Sequence, residues 1–424
     1  MFFKKEKKLK ESPLNYWEEN SYMLVFPEDE TKDLLTGIFE RVGKIEGVEI
    51  KETKTLKIDE PGYIKLIYDN EEYEVGFYPN NFQVPESYMN NKYYFKAEEI
   101  EKLKKVTRAL TIFMKFKDDS KKSFHLQLKL AVAMVPDMIG LMDESAEKIL
   151  PASWVRLAAK SNVTPGPADL YTVQAIYDKN GEVWLHTHGL CRCGLTELEI
   201  LKSDKENYNN HYNLISTFAS YLIDKNKEFN VHEDSAYIGM LINNQPVVVT
   251  CVPWTEGLKE YKKLTLGDVK DRKEGHNTKT SLIFIYKSEE DEKQKRISKV
   301  SEYNNLWGEN PLFFISNEET ARMKQLAMER FNYVKEEFGK EENKIIIKIG
   351  LPIDDNKQDF EHIWFELIEF EGDKFKAKLL QDPYNVENIH EGDERWYTVD
   401  DVTDWVIYTP GASITPDRVN FLTK

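Results

Sequence analysis

The stretch Trp184-Leu-His-Thr-His-Gly-Leu-Cys-Arg-Cys-Gly-Leu-Thr-Glu-Leu-Glu199 brings two histidines and two cysteines into eight consecutive positions. No other segment of the chain concentrates potential metal ligands in this way. Apolar and polar residues alternate up to His188, as in a half-buried strand, and a second such run begins at Thr196. Gly189 and Gly194 bracket the connection between the two runs. The stretch therefore predicts two strands joined by a tight turn.

The residues on either side extend this pattern into a central α+β region. Leu170–Tyr177 resembles a strand, and Asp178–Gly181 contains the Asn-Gly pair that favours a hairpin turn. Ser203–Glu206 has the pattern of a capping box and predicts the start of a helix. Further strands are predicted at residues 237–242, 246–251 and 281–286.

The first hundred residues predict a small α+β domain. Tyr22–Phe26 reads as a buried strand, a helix with Leu34 on its apolar face ends at Gly43, and two strands follow at residues 63–68 and 73–78. Beyond this domain, helices are predicted at residues 98–108, 122–135 and 151–159, and strands at residues 110–114 and 138–142.

The last part of the chain predicts a β-rich domain. Ser316–Glu319 is another capping box, and it opens a helix whose apolar residues recur every three or four positions up to Gly339. Strands follow at residues 344–349, 362–370, 374–380, 392–396 and 401–406. The charged segment Lys287–Lys299 is predicted to be a linker or an exposed loop.

These patterns predict an α+β, multi-domain protein with mixed or antiparallel sheets and flanking helices. We predict a small α+β domain at residues 1–96, a central α+β domain at residues 97–300 and a small β-rich domain at residues 301–424. A chain of 424 residues is longer than one ordinary core accommodates, which agrees with several domains.

Composition restricts the partners and the compartment. The net charge of -16 repels phosphate backbones and anionic lipid, so we expect neither nucleic acid nor membrane as a partner and favour a basic protein. Three cysteines are too few for a disulfide framework, which predicts a reducing cytoplasm. The basic start Met1–Lys8 lacks the apolar segment of a secretory signal, and no apolar run is long enough to span a membrane.

The C-terminal region contains a series of spaced motifs: His362-Ile-Trp-Phe-Glu-Leu, Gly372-Asp with Phe375, Asp382-Pro383, Gly392-Asp393 and Val402-Thr-Asp-Trp405. With these motifs, roughly residues 318–410 resemble the YegJ-like bacterial domain of unknown function. The resemblance implies a fold unit and carries no activity. Residues 105–250 are similar to the amino-terminal part of larger uncharacterised bacterial proteins that contain such a domain.

One interpretation of the central stretch is a zinc site. His186 and His188 lie two residues apart in a predicted strand, so their side chains project to the same face. Catalytic zinc takes three protein ligands and a water, and Glu199 or a cysteine would supply the third ligand. The spacing from the two histidines through Thr196 to Glu199 resembles that of the JAMM-type zinc hydrolases.

The stretch departs from that family at three positions. Threonine stands at 196 where the family has serine, glutamate stands at 199 where it has aspartate, and Gly189 replaces a proline. The family's upstream glutamate would correspond to Glu144 or Glu147 by rough position only. The longer glutamate changes where the carboxylate reaches, which puts the third ligand in doubt.

We favour a structural interpretation of the same residues. Trp184 and His186 would lie on a half-buried strand, and His188 would hydrogen-bond a backbone carbonyl at the glycine turn. Cys191 and Cys193 are separated by one residue rather than the two typical of zinc knuckles, so we expect them to be small buried apolar residues. A non-catalytic metal site is the intermediate alternative.

No other catalytic motif is present: the sequence contains neither a nucleophile elbow nor a phosphate-binding glycine loop. Acidic residues cluster in the C-terminal domain at positions 382, 393, 400, 401 and 404, and a basic partner would complement them. Nearby aromatic residues, at positions 396, 397, 405 and 408, form either a contact surface or, as we favour, part of a core.

The function predicted from the sequence is therefore a non-catalytic, cytoplasmic protein-interaction module, such as an immunity-type protein, with no catalytic residue and no cofactor. The alternative is a zinc-dependent hydrolase that uses His186, His188 and Glu199.

Overall fold

The computed structural model describes residues 19–422, apart from residues 32, 58–59, 90–92, 94, 226–228, 242–243, 273–276, 308–310 and 354–358. The basic segment Met1–Lys8 and the end of the strand predicted at residues 237–242 lie outside the described residues. The chain divides into two compact units. Unit 1 contains residues 1–89, 101–150 and 165–316, and unit 2 contains residues 90–100, 151–164 and 317–424.

Most of the helices lie where the sequence predicted them, whereas two short helices, at Trp254–Gly257 and Glu289–Lys293, were not predicted. The helices are α1 (Ile38–Val42), α2 (Ala97–Leu103), α3 (Ser120–Met134), α4 (Ala152–Lys160), α5 (Tyr208–Lys225), α6 (Trp254–Gly257), α7 (Glu289–Lys293), α8 (Asn317–Glu329) and α9 (Phe331–Glu337). Helix α1 is shorter than predicted because Gly37, with a φ of 73°, is in the left-handed region directly before it. Within the described residues, none of the helices has both the length and the apolar character needed to cross a bilayer.

The first sheet belongs to unit 1 and has the strand order β2-β3-β4-β5-β1-β6-β7. Its strands are β1 (Asn20–Pro27), β2 (Val48–Lys54), β3 (Gly62–Tyr68), β4 (Glu71–Asn81), β5 (Arg108–Lys115), β6 (Met138–Asp143) and β7 (Lys148–Pro151). Strand β1 pairs with β5 on one side and β6 on the other, and its apolar run Met23–Phe26 is buried. The domain boundary predicted near residue 96 falls inside this sheet.

Strand β2 was missed by sequence reasoning for a physical reason. Four of its seven residues are charged and most of them are exposed, so the apolar alternation of a half-buried strand is weak. It is held by its pairing with β3, which the local sequence does not encode.

The second sheet also lies in unit 1 and has the order β15-β11-β12-β13-β10-β9-β8, with β14 paired to β13. Its strands are β8 (Thr172–Tyr177), β9 (Glu182–His188), β10 (Glu197–Asp204), β11 (Ala236–Met240), β12 (Pro246–Pro253), β13 (Thr280–Tyr286), β14 (Ser298–Lys299) and β15 (Leu312–Phe313). Strands β10 and β13 run parallel, and helix α5 packs against β10. The predicted central hairpin is the β8–β9 pair.

Two predictions in this region are corrected by the structure. The charged segment Lys287–Lys299 is not a linker, because it forms α7 and β14, which pairs with β13. The turn that precedes α5 is held by Asp204, whose Oδ1 accepts the backbone N–H groups of Glu206 and Asn207, so Ser203 does not form the predicted capping box. Ser203 instead meets the imidazole of His211 at 2.7 Å.

The third sheet lies in unit 2 and is antiparallel, with the order β19-β18-β17-β16-β20-β21. Its strands are β16 (Lys344–Pro352), β17 (Phe360–Glu371), β18 (Lys374–Leu379), β19 (Glu394–Thr398), β20 (Val402–Tyr408) and β21 (Ser413–Ile414). Helices α8 and α9 supply Ala327, Phe331 and Val334 to its core. The single helix predicted here is broken at Arg330, whose φ of -101° and ψ of 14° are not helical.

Unit 2 also includes segments from earlier in the chain. The ring of Tyr93 lies 4.9 Å from that of Trp154 in α4, and the hydroxyl of Ser161 bonds Glu329 at 2.7 Å. The compact units are therefore not consecutive ranges, although independent folding of residues 301–424 stays a prediction. The α+β class, with mixed and antiparallel sheets and a β-rich C-terminal part, is confirmed.

Candidate functional site

The two histidines of the central stretch lie side by side on β9. Because side chains alternate along a strand, Trp184, His186 and His188 occupy one face. The ring centroids of Trp184 and His186 are 4.6 Å apart, and those of His186 and His188 are 4.9 Å apart. The sequence placed these rings on a common face, and His186 is completely buried there.

Glu199 lies opposite His186 in the β9–β10 register, but its carboxylate is bound to another residue. Both of its oxygens accept charge-assisted bonds from Arg272, at 2.6 and 2.7 Å. The indole N–H of Trp184 donates to the same carboxylate at 3.2 Å. The side chains of Arg272 and Glu199 are 1% and 0% exposed, so this ion pair is fully inside the protein.

Arg272 itself is held by its surroundings. Its guanidinium donates to the carbonyls of Gly267 and Asn277, and it lies 4.6 Å from the ring centroid of Trp254. Sequence reasoning missed this residue because it follows a loop and belongs to no periodic pattern. The available signal was indirect: a glutamate in a central buried strand requires a cation nearby.

Glu147 contacts the second histidine. Its Oε1 lies 3.5 Å from Nδ1 of His188, and its Oε2 accepts a bond of 2.8 Å from the amide of Gln174 on β8. Burial raises the pKa of Tyr88, and the neighbouring charge of Glu147 raises it further. Burial also raises the pKa of Glu144. One of the two glutamates suggested by the zinc-hydrolase resemblance therefore lies beside His188.

The turn that follows the histidines is fixed by Glu197. Its carboxylate accepts the hydroxyl of Thr187 at 2.6 Å and the backbone N–H groups of Gly189 and Cys191 at 2.9 and 3.0 Å. Gly189 has a φ of 114°, and a Cβ there would lie 2.5 Å from the carbonyl oxygen of Leu170. Only glycine fits this position, as expected for a tight connection.

Arg192 joins the second sheet to the first. It forms a bidentate ion pair with Asp143 of β6, at 2.7 and 2.8 Å, and donates to the hydroxyl of Ser21 on β1 at 3.0 Å. The rings of Phe116 and Phe124 lie 5.3 and 5.0 Å from its guanidinium carbon. Sequence reasoning missed Arg192 because attention fell on the cysteines that flank it.

The cysteines themselves are buried, as predicted. Cys191 and Cys193 are 7% and 5% exposed. Burial raises the pKa of Cys191 and raises that of Cys193 to about 11. A thiol with a raised pKa is a poor nucleophile at neutral pH.

In the part of the chain that the structure describes, no three His, Cys, Asp or Glu side chains are grouped so that they could hold a metal ion. The structure brings His186 and His188 together and directs Glu199 to Arg272. The use of these three residues as zinc ligands stays a prediction.

The aromatic residues of the C-terminal sheet divide into two groups. Trp405 is fully buried and donates its indole N–H to the carbonyl of Ala327, and Tyr397 packs on Phe365. Trp396 and Tyr408, by contrast, are each 41% exposed. The aromatic residues are therefore partly core and partly surface.

Comparison with known families identifies the class: a multi-domain protein assembled from domains whose function is unknown. Residues 21–165 match the N-terminal region of the DUF4026 family and residues 173–284 match its C-terminal region. Residues 317–415 match DUF2314, an uncharacterized protein conserved in bacteria. The chain therefore contains both DUF4026 domains followed by a DUF2314 domain. No curated protein and no solved structure matches the chain.

Proposed function

We propose that this protein is a non-catalytic, cytoplasmic protein-interaction module of the immunity type, and that its partner presents a basic face. The observation that carries the non-catalytic part is the buried Glu199–Arg272 pair. A hydrolase that used Glu199 with His186 and His188 would need this carboxylate as a ligand, and both of its oxygens already accept bonds from Arg272.

The net charge of -16 supports the choice of partner. Long-range attraction accelerates the encounter with a positively charged surface, and dissolved salt screens that attraction. A protein partner with a basic face should therefore associate quickly at low ionic strength and more slowly as salt is added.

Elemental analysis of the purified full-length chain tests the non-catalytic assignment. We expect no stoichiometric zinc and a melting temperature that a chelator leaves unchanged. His186→Ala should lower the free energy of unfolding by about 1–3 kcal/mol, because a buried polar ring is lost from the interior. One zinc per chain, released by both His186→Ala and His188→Ala, would contradict the proposal.

Affinity capture followed by kinetics with the purified partner tests the binding assignment. We expect a protein partner whose association rate falls with ionic strength. Recovery of nucleic acid or lipid alone, or a rate independent of salt, would overturn it.

The second candidate function is the zinc-dependent hydrolase that uses His186, His188 and Glu199. The observation that favours it is the contact of 3.5 Å between His188 and Glu147, a carboxylate in the region where the resemblance places an upstream glutamate. For this function Glu199 would have to leave Arg272. Zinc retained at one per chain and hydrolytic activity lost in Glu199→Gln would support it.

A further inference from the structure

Strand β19 forms one end of the third sheet in the described part of the chain. It pairs with β18 over five residues without a shift in register, from Lys374 opposite Thr398 to Lys378 opposite Glu394. At the other end of the sheet, β21 is only two residues long. Natural edge strands are commonly protected by proline, bulges, shortness or charged side chains. Strand β19 is five residues long and has no proline and no bulge, and its charged residues are Glu394 and Arg395.

The backbone of β19 presents hydrogen-bonding groups on its open side. Leu380 donates to the carbonyl of Trp364 in β17, whereas Leu379 donates to the carbonyl of Asp393, just before β19. Because the two sides of a strand alternate, odd-numbered residues of β18 bond towards β19. Residues 395 and 397 of β19 therefore bond back to β18, and the N–H and C=O groups of Glu394 and Trp396 point outwards.

The edge is flanked by carboxylates at both ends. Exposed acidic side chains precede and follow the strand, namely Glu391, Asp393, Glu394, Asp400 and Asp401. The strand's own basic residue is Arg395, whose guanidinium donates to the carbonyl of Asn388. Lys378 and Lys374 of β18 lie opposite Glu394 and Thr398, so each end of the edge also has one exposed lysine. The carboxylates still outnumber the lysines at both ends, and a segment lying along the edge would meet a net negative charge there.

Trp396 supplies an apolar contact at the centre of the edge. Its ring is 41% exposed, and Nζ of Lys376 on the neighbouring strand lies 5.2 Å from its centroid. Exposed tryptophans of this kind are frequent anchors in protein interfaces.

We propose that β19 is the docking edge for an extended, basic segment of a partner protein, which adds to the third sheet as a further strand. Main-chain bonds to Glu394 and Trp396 supply affinity, and lysine or arginine side chains near Glu391 and Asp400 supply selectivity. This inference rests on the proposed function, since it locates the surface that the basic partner would use.

The test uses the full-length chain and two synthetic peptides of equal charge and length. One alternates lysine with valine and forms strands; the other alternates lysine with proline and lacks half of the N–H donors that a strand ladder needs. Fluorescence anisotropy should show saturable binding of the lysine–valine peptide and about tenfold weaker binding of the lysine–proline peptide. Hydrogen exchange at Glu394 and Trp396 should slow in the complex.

Matched variants separate the edge from the overall charge. Glu391→Lys with Asp400→Lys should weaken binding of the lysine–valine peptide about tenfold or more, because both flanks are reversed. Glu341→Lys with Glu342→Lys, at exposed positions before β16, makes the same change in net charge and should alter binding less than about twofold. Trp396→Ala should weaken binding, whereas Tyr408→Ala, an equally exposed aromatic residue, should not.

Two results would overturn the inference, and they have different meanings. If both peptides bind equally, or if both charge-reversed variants lose the same affinity, docking at β19 would be rejected. The proposal of a partner with a basic face would still stand. If neither peptide binds, docking at β19 would be rejected and the result would count against the proposed function as well.

Discussion

The central strand β9 and the edge strand β19 contain similar residues in opposite environments. Each has a tryptophan close to carboxylates. Beside β9 the carboxylate of Glu199, on the neighbouring strand β10, is enclosed with Arg272, whereas the carboxylates beside β19 are exposed. The comparison shows that ligand-like residues indicate a site only where a ligand can reach them. Of these two strands, β9 lies in the most conspicuous stretch of the sequence but is the less accessible to a ligand.

Breaking the buried pair of Arg272 and Glu199 should have the largest effect on the free energy of unfolding. Arg272→Met leaves Glu199 charged and buried without its cation, and we expect the free energy of unfolding to fall by about 3–5 kcal/mol. Denaturant unfolding at neutral pH measures this loss. The double variant Arg272→Met with Glu199→Gln should recover part of it, and a loss below about 1 kcal/mol in the single variant would show that water reaches the pair.

The residues of the enclosed pair also show what the sequence could and could not predict. The β8–β9 hairpin was predictable because its alternation and its Asn-Gly turn are local signals. The same alternation placed His186 and His188 on one face. The position of Arg272 depends on the fold of a distant loop and on packing against Trp254, neither of which the sequence pattern contains.

The third sheet repeats this division between local and non-local information. Its strands β16 to β18 were predictable from apolar alternation and from the turn at Gly372. The sheet order, which makes β19 an edge, depends on pairings between distant segments. The association of Tyr93 and Trp154 with unit 2 is also non-local, so sequence reasoning placed both residues elsewhere.

Lowering the pH should destabilise unit 1 through protonation of His211. Burial lowers the pKa of this histidine from 6.5 to about 4, and its ring contacts Ser203 and Asn304. The unfolded chain therefore binds the proton first, and stability is lost as the pH falls below 6.5 towards 4. We expect a loss of about 2 kcal/mol between pH 7 and pH 5 from this residue. Urea titrations at both pH values should show the loss in the native chain and not in His211→Asn.

Acid should act in the opposite direction on unit 2 through Asp404. Burial raises the pKa of its carboxyl from 3.8 to about 6, partly offset by the N–H of Trp405 and the charge of Lys348. The folded state holds the proton more tightly, so this stabilisation is complete below pH 3.8 and is lost as the pH rises through 6. Asp404→Asn should therefore raise the free energy of unfolding at pH 7 by about 1–2 kcal/mol. A gain that persists unchanged at pH 4 would contradict this origin.

The smallest effect on the free energy of unfolding is expected when an ion pair is broken that has the same charges as Arg272 and Glu199 but is exposed to solvent. Nζ of Lys344 on β16 is 3.5 Å from Oε1 of Glu366 on β17, and these side chains are 56% and 36% exposed. Water and salt screen the attraction, and holding two long side chains together costs entropy. Lys344→Met should therefore change the free energy of unfolding by less than about 0.5 kcal/mol in a urea titration run beside that of Arg272→Met. A loss comparable to that of the buried pair would mean that the exposed face of the third sheet is covered in solution, because only desolvation makes such a pair costly to break.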